Sequence, residues 1–352
     1  MQKYKIILFA LLVASCSFRR ERAPEMEYAQ WFRTLDSATV VVYSPYGGAD
    51  TLRGPMESLV CMSSSYVGYL DAIGAAGVVK GVSGLSFIGT SGVDAVEVGY
   101  DAALDYEAIL RVKPDLFITY TVSAVEPPYL GKLRELGVRT VVLSEHLESH
   151  PLARAEYVKL FGALTGRSAA ADSVFSCVRD RYLSLVREPS GAKVLLNIPY
   201  SDIWYVPGVD NYMTRLIRDA GGEVLGAVPG RQESSTISVE KAYEYAQEAG
   251  FWLNTGWCNS RRQLLQANSF FNEFNIPSVW NNTLQTTPGG GNMFWETGPV
   301  RPDLVLEDLI QIFSCTAKDS LNYYIRVHYL DSPVKPANDV VRASTDCRHS
   351  PA

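Results

Sequence analysis

Short apolar strands alternate with helical stretches twice along this chain, and one long helical pattern separates the two series. In the first series the apolar runs are Val40-Val41-Val42-Tyr43, Leu59-Val60-Cys61-Met62, Val78-Val79, residues 116–119 and residues 140–143. Helical patterns at 66–73, 107–112 and 128–136 fall between them. The second series takes in residues 193–198, 212–220, 240–249, 251–254, 262–271 and 278–281. Continuous apolar strands joined through helices predict a parallel α/β sheet, here written twice. In residues 168–187, Val174, Val178, Tyr182, Leu185 and Val186 fall on one helical face. A helix of that length reaches roughly 30 Å, enough to bridge two lobes. Glu188-Pro189-Ser190-Gly191 stops it. The same pattern also fits a surface helix of one larger domain. At 352 residues the chain exceeds the usual single-core size, which favours two domains. A last helix is expected over 303–313, starting at Pro302, and a strand within 322–327.

A short unit also recurs in the two halves. Asp105-Tyr106-Glu107 and Ser238-Val239-Glu240 each place a capping residue two positions before a glutamate. A short helix and an apolar strand follow in both, ending at Thr119 and at Asn254. A glutamate in a first turn is favoured by the helix dipole alone, so the placement has a structural explanation as well as a functional one.

The two ends read differently from the middle. Lys3 and Lys5 precede an apolar run at 6–14 that is too short to span a membrane as a mature helix. It closes on Val13-Ala14-Ser15-Cys16, which resembles a bacterial lipobox and implies lipidation at Cys16. An ordinary signal peptide with a chance cysteine is the alternative. Residues 17–35 are expected as a tether and residues 330–352 as a disordered tail. A lipid would hold the protein to a membrane, facing the periplasm, without spanning it. The remaining cysteines, Cys61, Cys177, Cys258, Cys315 and Cys347, are scattered with no zinc spacing. Cys61 and Cys177 sit in apolar contexts that suit buried hydrophobes. A net charge of −6, with basic residues spread evenly, argues against a nucleic-acid partner.

The order of these pieces resembles the periplasmic substrate-binding proteins of ABC importers for iron chelates, haem and cobalamin. The stretch Leu104-Asp105-Tyr106-Glu107 through Lys113-Pro114-Asp115-Leu116 is similar to a helix-then-strand signature of that family. Residues 148–156 resemble its approach to the lobe crossing. Trp204-Tyr205-Val206-Pro207-Gly208 and Asp219-Ala220-Gly221-Gly222 resemble the start of its second lobe. The resemblance covers residues 36–327 and implies two parallel-sheet α/β lobes joined by one long helix, with a ligand cleft between them. The implied organisation is a first lobe over 36–166, a bridging helix over 167–189 and a second lobe over 190–329. It also implies a monomer that hands its cargo to a permease with its ATPase, and that Glu107 and Glu240 are the acids that dock on permease arginines.

Ligands of open α/β sheets bind at the carboxyl ends of strands. The residues just past those ends include Tyr46, Tyr66, Tyr120, Trp204, Tyr205, Trp257 and Trp280, with Trp295 in a later loop. These suit a flat, partly apolar ligand carrying chelated iron or cobalt, with no resident cofactor of the protein's own. Arg53 is the candidate for its anionic groups, with Arg231, Arg261 and Arg262 behind it. A bare-metal site is disfavoured: the four histidines include His146 and His150 at i,i+4, but Pro151 follows directly and argues against a continuing helix through them. His328 and His349 lie near the tail. Hydrolase chemistry finds little support. Gly89-Thr90-Ser91-Gly92-Val93 lacks the closing glycine of a nucleophile elbow, and Gly289-Gly290-Gly291 lacks a P-loop lysine. Both stretches read as flexible loops. The leading expectation is a receptor for an iron–siderophore, with a haem- or cobalamin-binding accessory or sensing lipoprotein as alternative.

Overall fold

The computed structural model describes residues 26–101, 103–120, 122–317 and 321–327. Cys16, Cys347, His328, His349 and the segments 1–25 and 328–352 lie outside them. The chain opens with an antiparallel meander of β1 (Phe32–Thr34), β2 (Thr39–Tyr43) and β3 (Ala49–Arg53). The run at 40–43 therefore belongs to this meander and not to the parallel sheet. The first parallel sheet follows. It contains β4 (Leu59–Cys61), then α1 (Ser64–Ala72), β5 (Val79–Val82) and β6 (Val96–Glu97). A small hairpin of β7 (Gly99–Tyr100) and β8 (Ala103–Leu104) leads to α2 (Tyr106–Val112) and β9 (Leu116–Thr119). Then come α3 (Pro128–Glu135) and β10 (Thr140–Val142), giving the order β10-β9-β4-β5-β6, all parallel.

Two helices lead out of this lobe. α4 (Pro151–Thr165) starts with His150 as cap and Pro151 in its first turn, and α5 (Ser168–Leu185) follows Gly166 in the left-handed conformation. Pro151 begins this helix, because the first turn needs no N–H from it. No helix continues through His146 and His150, as Pro151 implied: His146 lies in a single turn over Glu145–Leu147 and His150 is the cap, but the helix that begins at Pro151 itself was not foreseen. α4 is buried on nearly every face. α5 spans about 27 Å at 1.5 Å per residue and ends at Leu185, inside the expected bridge.

The second lobe repeats the design with β11 (Ala192–Leu196), β12 (Trp204–Val206), α6 (Tyr212–Asp219), β13 (Gly222–Val224), β14 (Ser235–Ile237) and α7 (Val239–Ala246). β15 (Phe251–Leu253), α8 (Arg261–Ala267), β16 (Ser278–Asn281), α9 (Met293–Glu296), α10 (Pro302–Phe313) and β17 (Ile325–Arg326) complete it. Its sheet runs β13-β11-β15-β16-β17, parallel except for β17, while β12 and β14 pair separately. One large cluster of buried side chains draws on both sheets through α4, α5 and α10. Arg181 on α5 holds Asp303 and Glu307 of α10 at 2.9 and 2.8 Å, and Arg301 grips the same fully buried Asp303 at 2.8 Å. The bridging helix is thus bound to the second lobe by charge as well as by packing. Among the described residues no helix is long and apolar enough to cross a membrane.

The segment expected as a free tether is docked from residue 27 onward. Glu156 on α4 accepts the backbone N–H groups of Glu27, Tyr28 and Ala29, and Glu148 accepts those of Gln30 and Trp31. Cys61 and Cys258 are buried free thiols and Cys315 is an exposed one. Cys177 is half-buried and disulfide-bonded, which corrects its reading as a simple buried hydrophobe.

Asp308 on α10 carries a pH signature. Its carboxylate accepts the N–H groups of Asn322, Tyr323 and Tyr324, and burial pushes its pKa from 3.8 up to about 6. The folded state therefore holds the proton more tightly than the unfolded chain. Its contribution is full below about pH 4 and is lost as pH rises through about 6, on the order of 3 kcal/mol across the window. In urea titrations, the stability advantage of the wild type over Asp308→Asn should shrink between pH 4 and pH 7. An advantage that grows with pH would contradict the assignment.

Candidate functional site

In both lobes the parallel strands point their carboxyl ends at loops rich in exposed apolar side chains. Asn197 and Asn254, just past β11 and β15, adopt left-handed φ of 70° and 61°. Asparagine tolerates that conformation, and each is pinned there. The Asn197 carbonyl accepts from Trp252 Nε1 at 2.7 Å, and Asn254 Oδ1 accepts from the Tyr324 hydroxyl at 3.0 Å. The chain consequently turns sharply at the sheet's edge. After Asn197, Ser201 and Asp202 are both left-handed and reverse the chain between the bridged pair Tyr200 and Ile203. Tyr200 is left 76% exposed. Past Asn254 the chain presents Trp257, 57% exposed. Tyr205 on β12 and Trp295 on α9 are also exposed. On the first lobe the loop after β9 exposes Tyr120, Val122 and Val125, with Tyr120 edge-on to His146 at 6.2 Å. Tyr46, at the β2–β3 turn, is half-buried, and its hydroxyl has no partner. Exposed apolar side chains of this size are candidates for a binding surface.

Several sequence candidates fall elsewhere. Trp204 is fully buried, stacked on Trp252 and Phe274, and its Nε1 donates to the Leu196 carbonyl at 2.8 Å. Tyr66 is fully buried too, its hydroxyl on the Thr119 carbonyl and Glu145 at 3.2 and 3.4 Å. Trp280 is 8% exposed and bonded to Ser278. These three are core residues: Tyr66 lies in α1, Trp204 opens β12 and Trp280 lies within β16, each with its side chain packed into the interior. Arg53 is exposed, but Gly54 beside it abuts the carbonyls of Ala163 and Leu164 at the far end of α4 from the cleft. Arg53 thus lies apart from the cavity beside Arg154.

The cleft floor lies where α4, α6, α9 and α10 converge. A small cavity of about 20 Å³ lies there, lined by Pro151, Arg154, Tyr212, Phe294, Trp295 and Pro302 among others. The Arg154 guanidinium lies 4.2 Å from the Tyr212 ring centroid, linking the first lobe's helix to the second. Arg154 and Tyr212 escaped the sequence reading. The one available signal was an arginine in the first turn of a helix, where the dipole disfavours a cation. Glu145 is buried behind this floor, and burial pushes its carboxyl above the usual range, with Arg154 pulling the other way. His150 serves α4: its Nδ1 accepts the Leu152 N–H at 3.0 Å, and burial lowers its pKa to about 4, leaving it neutral. Among the described residues no group of three or more histidine, cysteine, aspartate or glutamate side chains could hold a metal.

The two glycine-bearing stretches expected as flexible loops meet each other. Glu296 accepts the N–H groups of Gly89 and Thr90, both at 2.8 Å, and the Thr90 hydroxyl at 2.5 Å. Thr287 donates to the Ser86 carbonyl at 2.8 Å. A Cβ at Gly291 would lie 1.9 Å from the Phe87 carbonyl oxygen, and one at Gly68 would lie 2.0 Å from that of Glu296. Only glycine permits these approaches. Glu296→Ala should cost about 2–3 kcal/mol, since it orphans two backbone donors. It should also speed hydrogen exchange selectively at residues 86–92, and unchanged exchange there would refute the clasp.

Glu107 and Glu240 are both exposed in the first turns of α2 and α7. Asp105 caps the first helix through Ala108 N–H at 2.9 Å, and Ser238 the second through Lys241 N–H at 3.2 Å. Each helix runs back along the strand that follows it, so its start lies level with the strands' carboxyl ends. Neither glutamate forms an ion pair with another described residue.

Two α/β lobes joined through a long helix, with exposed apolar side chains past their strand ends, are the architecture of a solute-binding receptor. The chain belongs to the periplasmic binding protein family, whose model matches residues 59–274. An uncharacterized lipoprotein of Methanocaldococcus jannaschii is 25% identical over 283 residues, 73% of this chain. The match takes in 65% of that relative's length. Among solved structures, a periplasmic heme binding protein from Pseudomonas aeruginosa matches with a TM-score of 0.56 at 20% identity, over 78% of this chain and 98% of its own. The periplasmic vitamin B12 binding protein of Vibrio cholerae gives 0.53 at 15%, over 74% and 98%. A Fe3+-hydroxamate transport protein of Saccharomonospora viridis gives 0.54 at 14%, over 78% and 98%. At these identities the likeness is one of fold.

Proposed function

We propose that this protein is a lipid-anchored extracytoplasmic receptor that captures a metal chelate between its lobes and delivers it to an ABC permease. The observation that supports this reading is the exposure of large apolar side chains in loops past the strand ends and on β12: Tyr120, Val122 and Val125 on one lobe, Tyr200, Tyr205 and Trp257 on the other. Such walls bury a flat, partly apolar body by stacking and area. An iron–siderophore is the leading cargo, with haem or cobalamin next. Similarity to proteins named for heme, vitamin B12 and Fe3+-hydroxamate supports this class of ligand. Similarity to a lipoprotein supports the anchor at Cys16. Glu107 and Glu240 are the docking acids, since an exposed carboxylate makes charge-assisted bidentate pairs with arginine.

Absorbance titration of the purified protein with ferrichrome, haemin and cyanocobalamin tests the reading. Saturable binding of one at micromolar concentration or below, without turnover, is the expected result. Absence of binding by metal chelates across the panel would overturn it.

A further inference from the structure

Cys177 on α5 forms a disulfide, yet every other described cysteine is a free thiol. Cys61 and Cys258 are buried, and burial pushes them up to about 12 and about 11, so neither supplies the thiolate that exchange requires. Cys315 is exposed and free. The sequence holds six cysteines, so the partner of Cys177 is Cys16 or Cys347. The arriving N-terminal segment docks on the wrong side of α5 for Cys16. Glu27 pairs with Arg179 at 2.9 Å, and Tyr28 lies edge-on to Phe175 with ring centroids 6.2 Å apart. Positions two apart on a helix do not face one another, so Cys177 points away from both Phe175 and Arg179. It shares instead the face of Arg181, four positions on, which pairs with Asp303 and Glu307 of α10.

We propose that Cys347 is the partner, so that the C-terminal segment is stapled to the helix bridging the lobes and the disulfide closes a loop around the whole second lobe. Lipidation at Cys16 would also turn its sulfur into a thioether and remove it from disulfide chemistry. That exclusion rests on the lipid-anchored receptor reading above, whereas the orientation of Cys177 on α5 is independent of it. Positions 327 and 347 are 20 residues apart, enough chain to reach roughly 70 Å, well over the length of α5. The bond forms by exchange with a disulfide oxidant. One cysteine's thiolate attacks the oxidant, and the second thiolate then displaces it. The oxidant leaves as a dithiol carrying two electrons and the two thiol protons. Such oxidants act outside the reducing cytoplasm, where an exported receptor folds. Closing a long loop removes conformations from the unfolded chain, so the staple stabilises the second lobe.

The test maps tryptic peptides of the full-length protein, purified from an oxidising export compartment with free thiols alkylated before any reduction. The peptide spanning residues 168–179, which carries Cys177, should appear linked to the peptide spanning 343–348, which carries Cys347. The pair should separate on reduction. Cys347→Ser should leave Cys177 open to alkylation and lower the melting temperature by about 5 °C or more, as reduction of the wild type should. Cys315→Ser should change neither. The staple is overturned by an alkylated Cys177 in the wild type, or by a link from 168–179 to the peptide 16–19 or to its own copy in a dimer. An unchanged melting temperature in Cys347→Ser overturns it as well. The wild-type map decides the pairing even if the variant does not fold. The two readings fail separately: a link to Cys16 removes the lipid anchor along with the staple, whereas chelate binding by protein whose Cys177 is alkylated leaves the receptor and removes only the staple. A link between 168–179 and 343–348 without chelate binding leaves the staple and removes the receptor.

Discussion

A Glu107→Arg/Glu240→Arg double variant should lose uptake by about 100-fold or more while its ligand affinity stays within about twofold of wild type. Each reversal places a cation where a permease arginine is expected, and like-charge contact at an interface costs several kcal/mol. Both side chains are exposed and tied to no other described residue by an ion pair, so their replacement disturbs little of the fold. The caps Asp105 and Ser238 remain to hold α2 and α7. Uptake assays in a strain whose native copy is deleted, paired with equilibrium binding, separate docking from capture. Transport at wild-type level by the double variant would remove the docking assignment.

The second large effect contrasts two tryptophans. Trp204→Ala should destabilise the protein by about 3–5 kcal/mol, because it empties a fully packed site. The lost indole also leaves the Leu196 carbonyl without its buried donor. Trp257→Ala should barely move the unfolding midpoint, since that ring is 57% exposed. It should instead weaken ligand binding by about tenfold, the order expected for an aromatic anchor. Urea denaturation and ligand titration on both variants give the comparison. A Trp257→Ala protein with unaltered affinity would show that this wall of the cleft is not used.

The relation of sequence to structure is clearest at particular elements. α10 begins at Pro302 and ends at Phe313, β16 fills 278–281, and α5 covers most of the expected bridge. These were legible because their signals are local: a proline at a helix start, an apolar run of strand length, a repeat of apolar positions at helical spacing. α4 was missed because Pro151 has two local meanings, and only the neighbouring fold selects the helix start. The meander was misread because Val40, Val41 and Val42 are apolar in any sheet, while their antiparallel partners are set by the turns around them.

The binding residues divide along the same line. Tyr120, Trp257 and Trp295 are exposed, whereas Tyr66, Trp204 and Trp280 are core, yet all six are aromatics that the sequence does not tell apart. Arg154 and Tyr212 lie 58 positions apart and meet only when two lobes close on one helix. Likewise the loop at 84–92 and the segment at 286–297 each read as free until Glu296 joins them. By itself the sequence determined the two α/β series, the bridge between them, the caps that start α2 and α7, and the resemblance to a receptor family. The tertiary structure decided which aromatics are exposed and which are core, and it brought Arg154 onto Tyr212. Helix and strand periodicity are written in neighbouring residues, whereas burial and contact depend on residues far along the chain that only folding brings together.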